Sequence, residues 1–122
     1  MNNQRKFIRI NKSLEVSFSG VKDLLRSGTR NKDLSEGGIC LPLDKYFPVG
    51  SMLNIEIRFD DFKMPIKALA KIAWITNTNN TRLPFEAGLK FIDISPSQRD
   101  ILRDYIKRNT PADGQAGMQW VE

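Results

Sequence analysis

The chain has 122 residues and a formal net charge of +5, with 40% hydrophobic and 27% charged residues, a balance that fits one globular domain and leaves little room for a second. It holds no histidine and one cysteine, which excludes an internal disulfide, zinc sites built from Cys and His, and nucleophile–histidine dyads. No apolar run approaches the ~20 residues needed to span a bilayer, and the N-terminus lacks the apolar stretch of a signal peptide, so a cytoplasmic protein with no membrane span, metal or cofactor is expected.

Arg5, Lys6 and Arg9 all precede the first acidic residue, Glu15, so residues 1–12 read as a flexible basic arm with few apolar anchors. Leu14, Val16 and Phe18 then alternate with Glu15 and Ser17, the period of a half-buried strand, and Gly20 ends it. Residues 21–28 admit a strand, a loop or one helical turn. Residues 29–34 read as a second strand, Glu36-Gly37-Gly38 as a turn, and residues 38–43 as a third strand in which Cys40 is a small buried hydrophobe. The cleanest alternation covers residues 52–59, with Leu53, Ile55, Ile57 and Phe59 on one face, before Asp60-Asp61 turns the chain.

The next strand places Ile66, Ala68, Ala70, Ile72 and Trp74 on one face and Lys67, Leu69, Lys71 and Ile75 on the other. After a polar loop over residues 77–82, Phe85, Ala87, Leu89 and Phe91 define a sixth and last strand. The period then lengthens. Ser95 can cap a helix, Pro96 suits its first position and Gln98 completes a capping box; Ile101, Leu102, Tyr105 and Ile106 form one stripe. Lys107 and Arg108 complement the C-terminal dipole, and Asn109-Thr110-Pro111 stop the helix. Residues 109–122 read as a disordered tail, although Trp120 could dock. The expected architecture is mainly β: a six-stranded antiparallel barrel over residues 13–108, with one C-terminal helix covering an end or seam.

Two motifs carry chemistry. The arm contains Arg5-Lys6-Phe7-Ile8-Arg9, two arginines four residues apart, and the turn contains Asp33-Leu34-Ser35-Glu36-Gly37-Gly38, an Asp-x-Ser-x-x-Gly pattern. Each alone is unremarkable. Together, in this order and at this separation on a β-then-helix pattern, they resemble the PilZ domain family over about residues 4–108. Ala73-Trp74, Gly88-Leu89-Lys90-Phe91 and the helix start at Ser95-Pro96 are similar too. The resemblance implies a split-barrel fold and a receptor for cyclic di-GMP, with no enzymatic activity, that relays its state to an unidentified downstream protein. It assigns Arg5 and Arg9 to phosphate and guanine, Asp33 and Ser35 to a guanine edge, and Gly38 to the turn. Gln4, Gly37 and Lys90 are weaker candidates, Lys90 because it stands where many relatives carry arginine.

The chemistry agrees with that assignment. An arginine fork takes a phosphate or the O6/N7 edge of guanine in bidentate fashion and stacks on the purine face, while a carboxylate suits the paired N1–H and N2–H donors of guanine. A glycine allows close backbone approach. Two other readings stand beside it: a PilZ-like protein-interaction module without nucleotide, and a small single-strand-binding barrel. The second needs exposed aromatics among basic residues, whereas Trp74, Phe85 and Phe91 fall on predicted core faces, so no DNA partner is expected.

Overall fold

A computed structural model describes residues 7–110. Eight strands and one helix follow in chain order: β1 (Arg9–Ile10), β2 (Glu15–Gly20), β3 (Ser27–Arg30), β4 (Asp33–Ser35), β5 (Gly38–Leu43), β6 (Met52–Arg58), β7 (Ile66–Asn77), β8 (Phe85–Asp93) and α1 (Pro96–Arg108). All ladders are antiparallel, in the order β1-β4-β5-β8-β7-β6-β2-β3.

The mainly β architecture with one C-terminal helix is as expected, but the six-stranded barrel is corrected to an open antiparallel sheet of eight strands. Two local causes raise the strand number. Arg9 and Ile10 of the basic arm pair with Ser35 and Leu34, and Ile10 is buried, so the arm's end is tied into the sheet. The predicted strand over residues 29–34 splits at Asn31, which is buried and turns its side chain into a joint. Its Oδ1 accepts Leu14 N–H at 2.7 Å, and its Nδ2 donates to the carbonyls of Lys12 at 2.8 Å and Asp33 at 3.2 Å.

The sheet curls until β3 lies beside β5, yet the ladder stays open there. In an antiparallel strand the N–H and C=O of one residue point to the same neighbour, and Pro42 has no N–H. Its carbonyl instead accepts the Thr29 hydroxyl at 2.8 Å.

Period-two alternation puts Val16, Phe18, Leu53, Ile55, Ile57, Ile66, Ala70, Ile72, Ala87, Leu89 and Phe91 on the concave face, where all are buried; each large aliphatic contributes roughly 1.5–3 kcal/mol by leaving water. Trp74 departs from that pattern. Ile72 pairs with Leu89 and Trp74 with Gly88, leaving Ala73 as an extra residue. The bulge leaves Ala73 and Trp74 both facing out, and Trp74 is 41% exposed, against the core position expected from strict alternation. Phe85 is only half-buried, whereas Phe91 is in the core as expected.

Helix α1 closes one end of the sheet. Ser95 caps it, accepting Gln98 N–H at 3.3 Å. The Gln98 carboxamide does not complete the capping box: its Oε1 accepts Lys67 N–H at 2.9 Å. β8 begins to pair with β7 only at Leu69↔Asp93, so the Lys67 amide lacks a strand partner on that side and the helix supplies one. Leu102, Tyr105 and Ile106 are buried. The Tyr105 ring stacks on Phe59 with centroids 4.4 Å apart and planes within 2°, and its hydroxyl donates to Asp60 Oδ1 at 3.2 Å. Burial and the neighbouring Asp60 carboxylate push the Tyr105 phenol well above its usual range. No helix among the described residues is long and apolar enough to cross a membrane.

Candidate functional site

The convex face of β1, β4, β5, β8 and β7 carries the polar residues singled out in the sequence. Cross-strand register fixes their layout, because directly paired residues in an antiparallel ladder share a face. One row runs from Asp33 through Cys40 and Gly88 to Trp74, and a second from Gly38 through Lys90 to Lys71. Arg9 lies across from Ser35. All of these but Lys71 line a cleft of about 460 Å³, walled by Phe7, Arg9, Asp33, Ser35, Trp74 and Lys90.

Arg9 Nη1 meets Asp33 Oδ2 at 3.1 Å, with both side chains partly exposed. A guanidinium has five N–H donors and a carboxylate about four lone-pair sites, so most of the hydrogen-bonding capacity on both side chains has no partner among the described residues. The pair is a preformed donor–acceptor wall.

Ser35 shapes the turn. Its oxygen accepts the N–H groups of Gly37 and Gly38, each at 3.1 Å, and its proton points to Gly38 O at 3.3 Å. A short hydroxyl closing its own backbone in this way is the Ser turn expected of the residue type. Glu36 at the turn's tip is held from the far side: Arg103 of α1 reaches its Oε2 with Nε at 3.0 Å and Nη2 at 2.8 Å. Gly38 is required by close packing, since a Cβ there would lie 2.2 Å from Leu89 O on β8. The Phe7 ring lies over Gly37.

The cleft floor contains a cysteine. Cys40 is 5% exposed, and its Sγ lies 3.5 Å from Glu86 Oε2. Burial pushes the thiol up to about 12, with the Asp33 and Glu86 carboxylates adding to the effect, so it stays protonated and unreactive at neutral pH. Lys32 Nζ pairs with Glu86 at 3.0 Å, satisfying that carboxylate.

Arg9, Asp33, Ser35, Gly37, Gly38 and Lys90 thus come together on one surface, while Gln4 and Arg5 lie outside the described residues. Sequence reasoning put Trp74 on a core face, and named Gly88 only within a family-like run, not as the place where the indole approaches. The Trp74 indole lies against Gly88, where a Cβ would meet its Nε1 at 2.2 Å. Two signals were present: the run Ile72-Ala73-Trp74-Ile75 breaks the alternation as a bulge does, and a glycine inside a strand marks a place where something approaches closely.

Comparison with known proteins gives one family. The model of the PilZ domain matches residues 3–108. Among solved structures, the Bacillus subtilis inhibitor of motility (MotI/DgrA) superposes with a TM-score of 0.74 at 22% identity, over 87% of this chain and 51% of that one. The chain therefore spans about half the length of that protein. The PilZ domain of Escherichia coli YcgR with c-di-GMP gives a TM-score of 0.66 at 18% identity, over 88% and 92% of the two chains. The PilZ domain of CeSA from a cellulose-synthesizing bacterium gives 0.61 at 14%, over 82% and 95%. No curated protein sequence matches.

Proposed function

The chain belongs to the PilZ domain family, and from that membership and the chemistry of the cleft we propose that it is a receptor for cyclic di-GMP that passes its ligand state to a partner protein. The observation that carries the reading is the Arg9–Asp33 pair at 3.1 Å on the rim of an open cleft. A cyclic dinucleotide presents anionic phosphates beside guanine edges, which is the pattern an adjacent guanidinium and carboxylate complement. Trp74 adds a flat hydrophobic surface across the cleft, suited to stacking a purine. Support also comes from the similar YcgR domain, whose structure contains c-di-GMP.

In this reading Arg9 grips phosphate and a guanine face, and Asp33 accepts from a guanine edge. Ser35 and Gly38 hold the turn in shape, and Arg5 closes over the ligand from the arm. Ordering of the arm on binding supplies the change of surface that a partner reads, with an entropic penalty met only when the anion is present. No residue acts as a catalyst; the site binds and releases.

Calorimetric titration with cyclic di-GMP tests the proposal. The wild-type chain is expected to give saturable heat. Arg9→Ala should bind roughly 10–100-fold more weakly, about 1.5–3 kcal/mol for a lost charged hydrogen bond, and Arg9→Lys should also weaken binding because the fork is lost. A wild-type chain that shows neither heat nor thermal shift with the nucleotide is instead a protein-interaction module that has lost the ligand.

A further inference from the structure

The row beside the Arg9–Asp33 wall ends in two lysines that the reading above leaves unexplained. Lys71 on β7 and Lys90 on β8 are directly paired across the ladder, so both project from the convex face with Cβ atoms ~5 Å apart. Both are exposed. Their flanking neighbours in the row bring no negative charge: Lys90 faces Gly38 and Lys71 faces Met52. Among the described residues, neither ammonium has a carboxylate within ion-pair distance.

The contrast on the same strand is informative. Lys67, four residues before Lys71, stands directly opposite Glu56, the complementary arrangement that favours pairing. Like charges directly opposed in a ladder disfavour it. The uncompensated pair lies at the cleft's edge: Lys90 lines the cleft, Lys71 stands across the ladder from it just outside the lining, and Trp74 lies over Gly88, two residues before Lys90 on the same face. An aromatic surface with twin ammonium groups one step along the strand (~6.8 Å) has the spacing of a base and the phosphate attached to its sugar.

We propose that Lys71 and Lys90 form a second anion seat on the cleft, which takes a phosphodiester while the adjacent Trp74 indole takes a base. The seat rests on the cyclic di-GMP reading and extends it, with Lys71 as a ligand contact that neither motif contains. The phosphodiester is either the far phosphate of the molecule held by Arg9 or a phosphate of a second molecule stacked on the first.

A seat built from mutually repelling charges has a signature that a structural role lacks. Replacing one lysine by a neutral or acidic residue should make the free protein more stable and the liganded one weaker. Lys71→Gln and Lys71→Glu are the test variants, read by thermal denaturation without ligand and by calorimetry with cyclic di-GMP. Lys71→Glu gains an ion pair with Lys90 and should melt about 1–3 °C higher, as a few tenths of a kcal/mol does in a chain of this length. Both variants should bind about 5–30-fold more weakly than wild type at 0.1 M salt. That gap should narrow toward 1 M salt, where the screening length falls from ~10 Å to ~3 Å.

Stoichiometry separates the two sources: one ligand per chain assigns the seat to the far phosphate, two assign it to a stacked second molecule. If wild type binds and Arg9→Ala weakens it, yet both Lys71 variants bind as wild type does, the seat is refuted and the receptor reading stands. If wild type does not bind at all, both fall.

Discussion

Replacing Gly38 by alanine tests whether the motif glycine serves the sheet or only the turn. An ideal Cβ there would lie 2.2 Å from Leu89 O and 3.3 Å from Leu89 C. A carbon–oxygen contact needs about 3.3 Å, so β5 and β8 must separate locally by about 1 Å. The obstacle is main chain, which cannot swing aside. Forced overpacking of this kind costs about 1–3 kcal/mol. The shift also strains the Phe91 N–H to Gly37 O bond of 2.9 Å and the Gly38 N–H to Ser35 Oγ bond of 3.1 Å, a further 0.5–1.5 kcal/mol or so if one is lost. Reduced freedom of the unfolded chain returns about 0.4–1 kcal/mol. The net expectation is a loss of about 2 kcal/mol, which lowers the melting temperature by roughly 6–10 °C in a domain of this length. Calorimetric or dye-based melting checks it, with cyclic di-GMP titration alongside, where affinity should fall because Ser35 and Gly38 no longer hold the turn. A Gly38→Ala protein that melts within about 1 °C of wild type would refute the packing argument.

Gly88→Ala provides the contrast, because the atoms in its way belong to the Trp74 ring. Stability should change little, while the indole lifts from the sheet. In a Trp120→Phe background the remaining tryptophan's emission should shift and ligand affinity should fall. Asn31→Ala strands the Leu14 N–H and the Lys12 carbonyl at a buried joint, and chemical denaturation should show a loss of about 2–4 kcal/mol. Tyr105 carries the alkaline limit of stability. Its phenol is raised in the fold by burial and Asp60, so its contribution is complete below the ordinary tyrosine range near ~10. That contribution is lost as pH climbs from there toward the folded value. Urea midpoints should fall above pH ~10 in wild type and fall less steeply in Tyr105→Phe. Cys40, held protonated and buried, should resist iodoacetamide at pH 8 until denaturant is added.

The sequence revealed the molecule unevenly, and the reasons are physical. The strands on the concave face were legible because their inner side chains must leave water, which writes a period of two into residues 14–18, 52–59 and 85–91. The helix was legible from Ser95, Pro96 and its apolar stripe. Strand number was not, because β1 is two residues long and β3 parts from β4 at one buried asparagine whose side chain bonds to Leu14 and Lys12, far back along the chain. Nor was the open edge, which turns on the proline of β5 lying beside Thr29. In the cleft, Arg9, Asp33, Ser35 and Gly38 could be named because their spacing is local to the chain. Trp74 was put on the wrong face because strict alternation counts Ala73, which the ladder leaves unpaired. The Lys71–Lys90 pairing needs the β7–β8 register, which periodicity alone does not give.

The extra residue in β7 has a consequence for how such a cleft can vary. Ile72 points inward, Ala73 and Trp74 outward, and Ile75 packs back against the core. Take Ala73 away and the remaining order is still in, out, in. The inserted alanine therefore sets the strand's bend and local twist, not which side the indole occupies. A chain one residue shorter at this point would keep its tryptophan outside and its isoleucine inside, with the ring carried to a different height above Gly88. The reach of the aromatic wall could thus be lengthened or shortened without altering a single polar or aromatic side chain that lines the cleft.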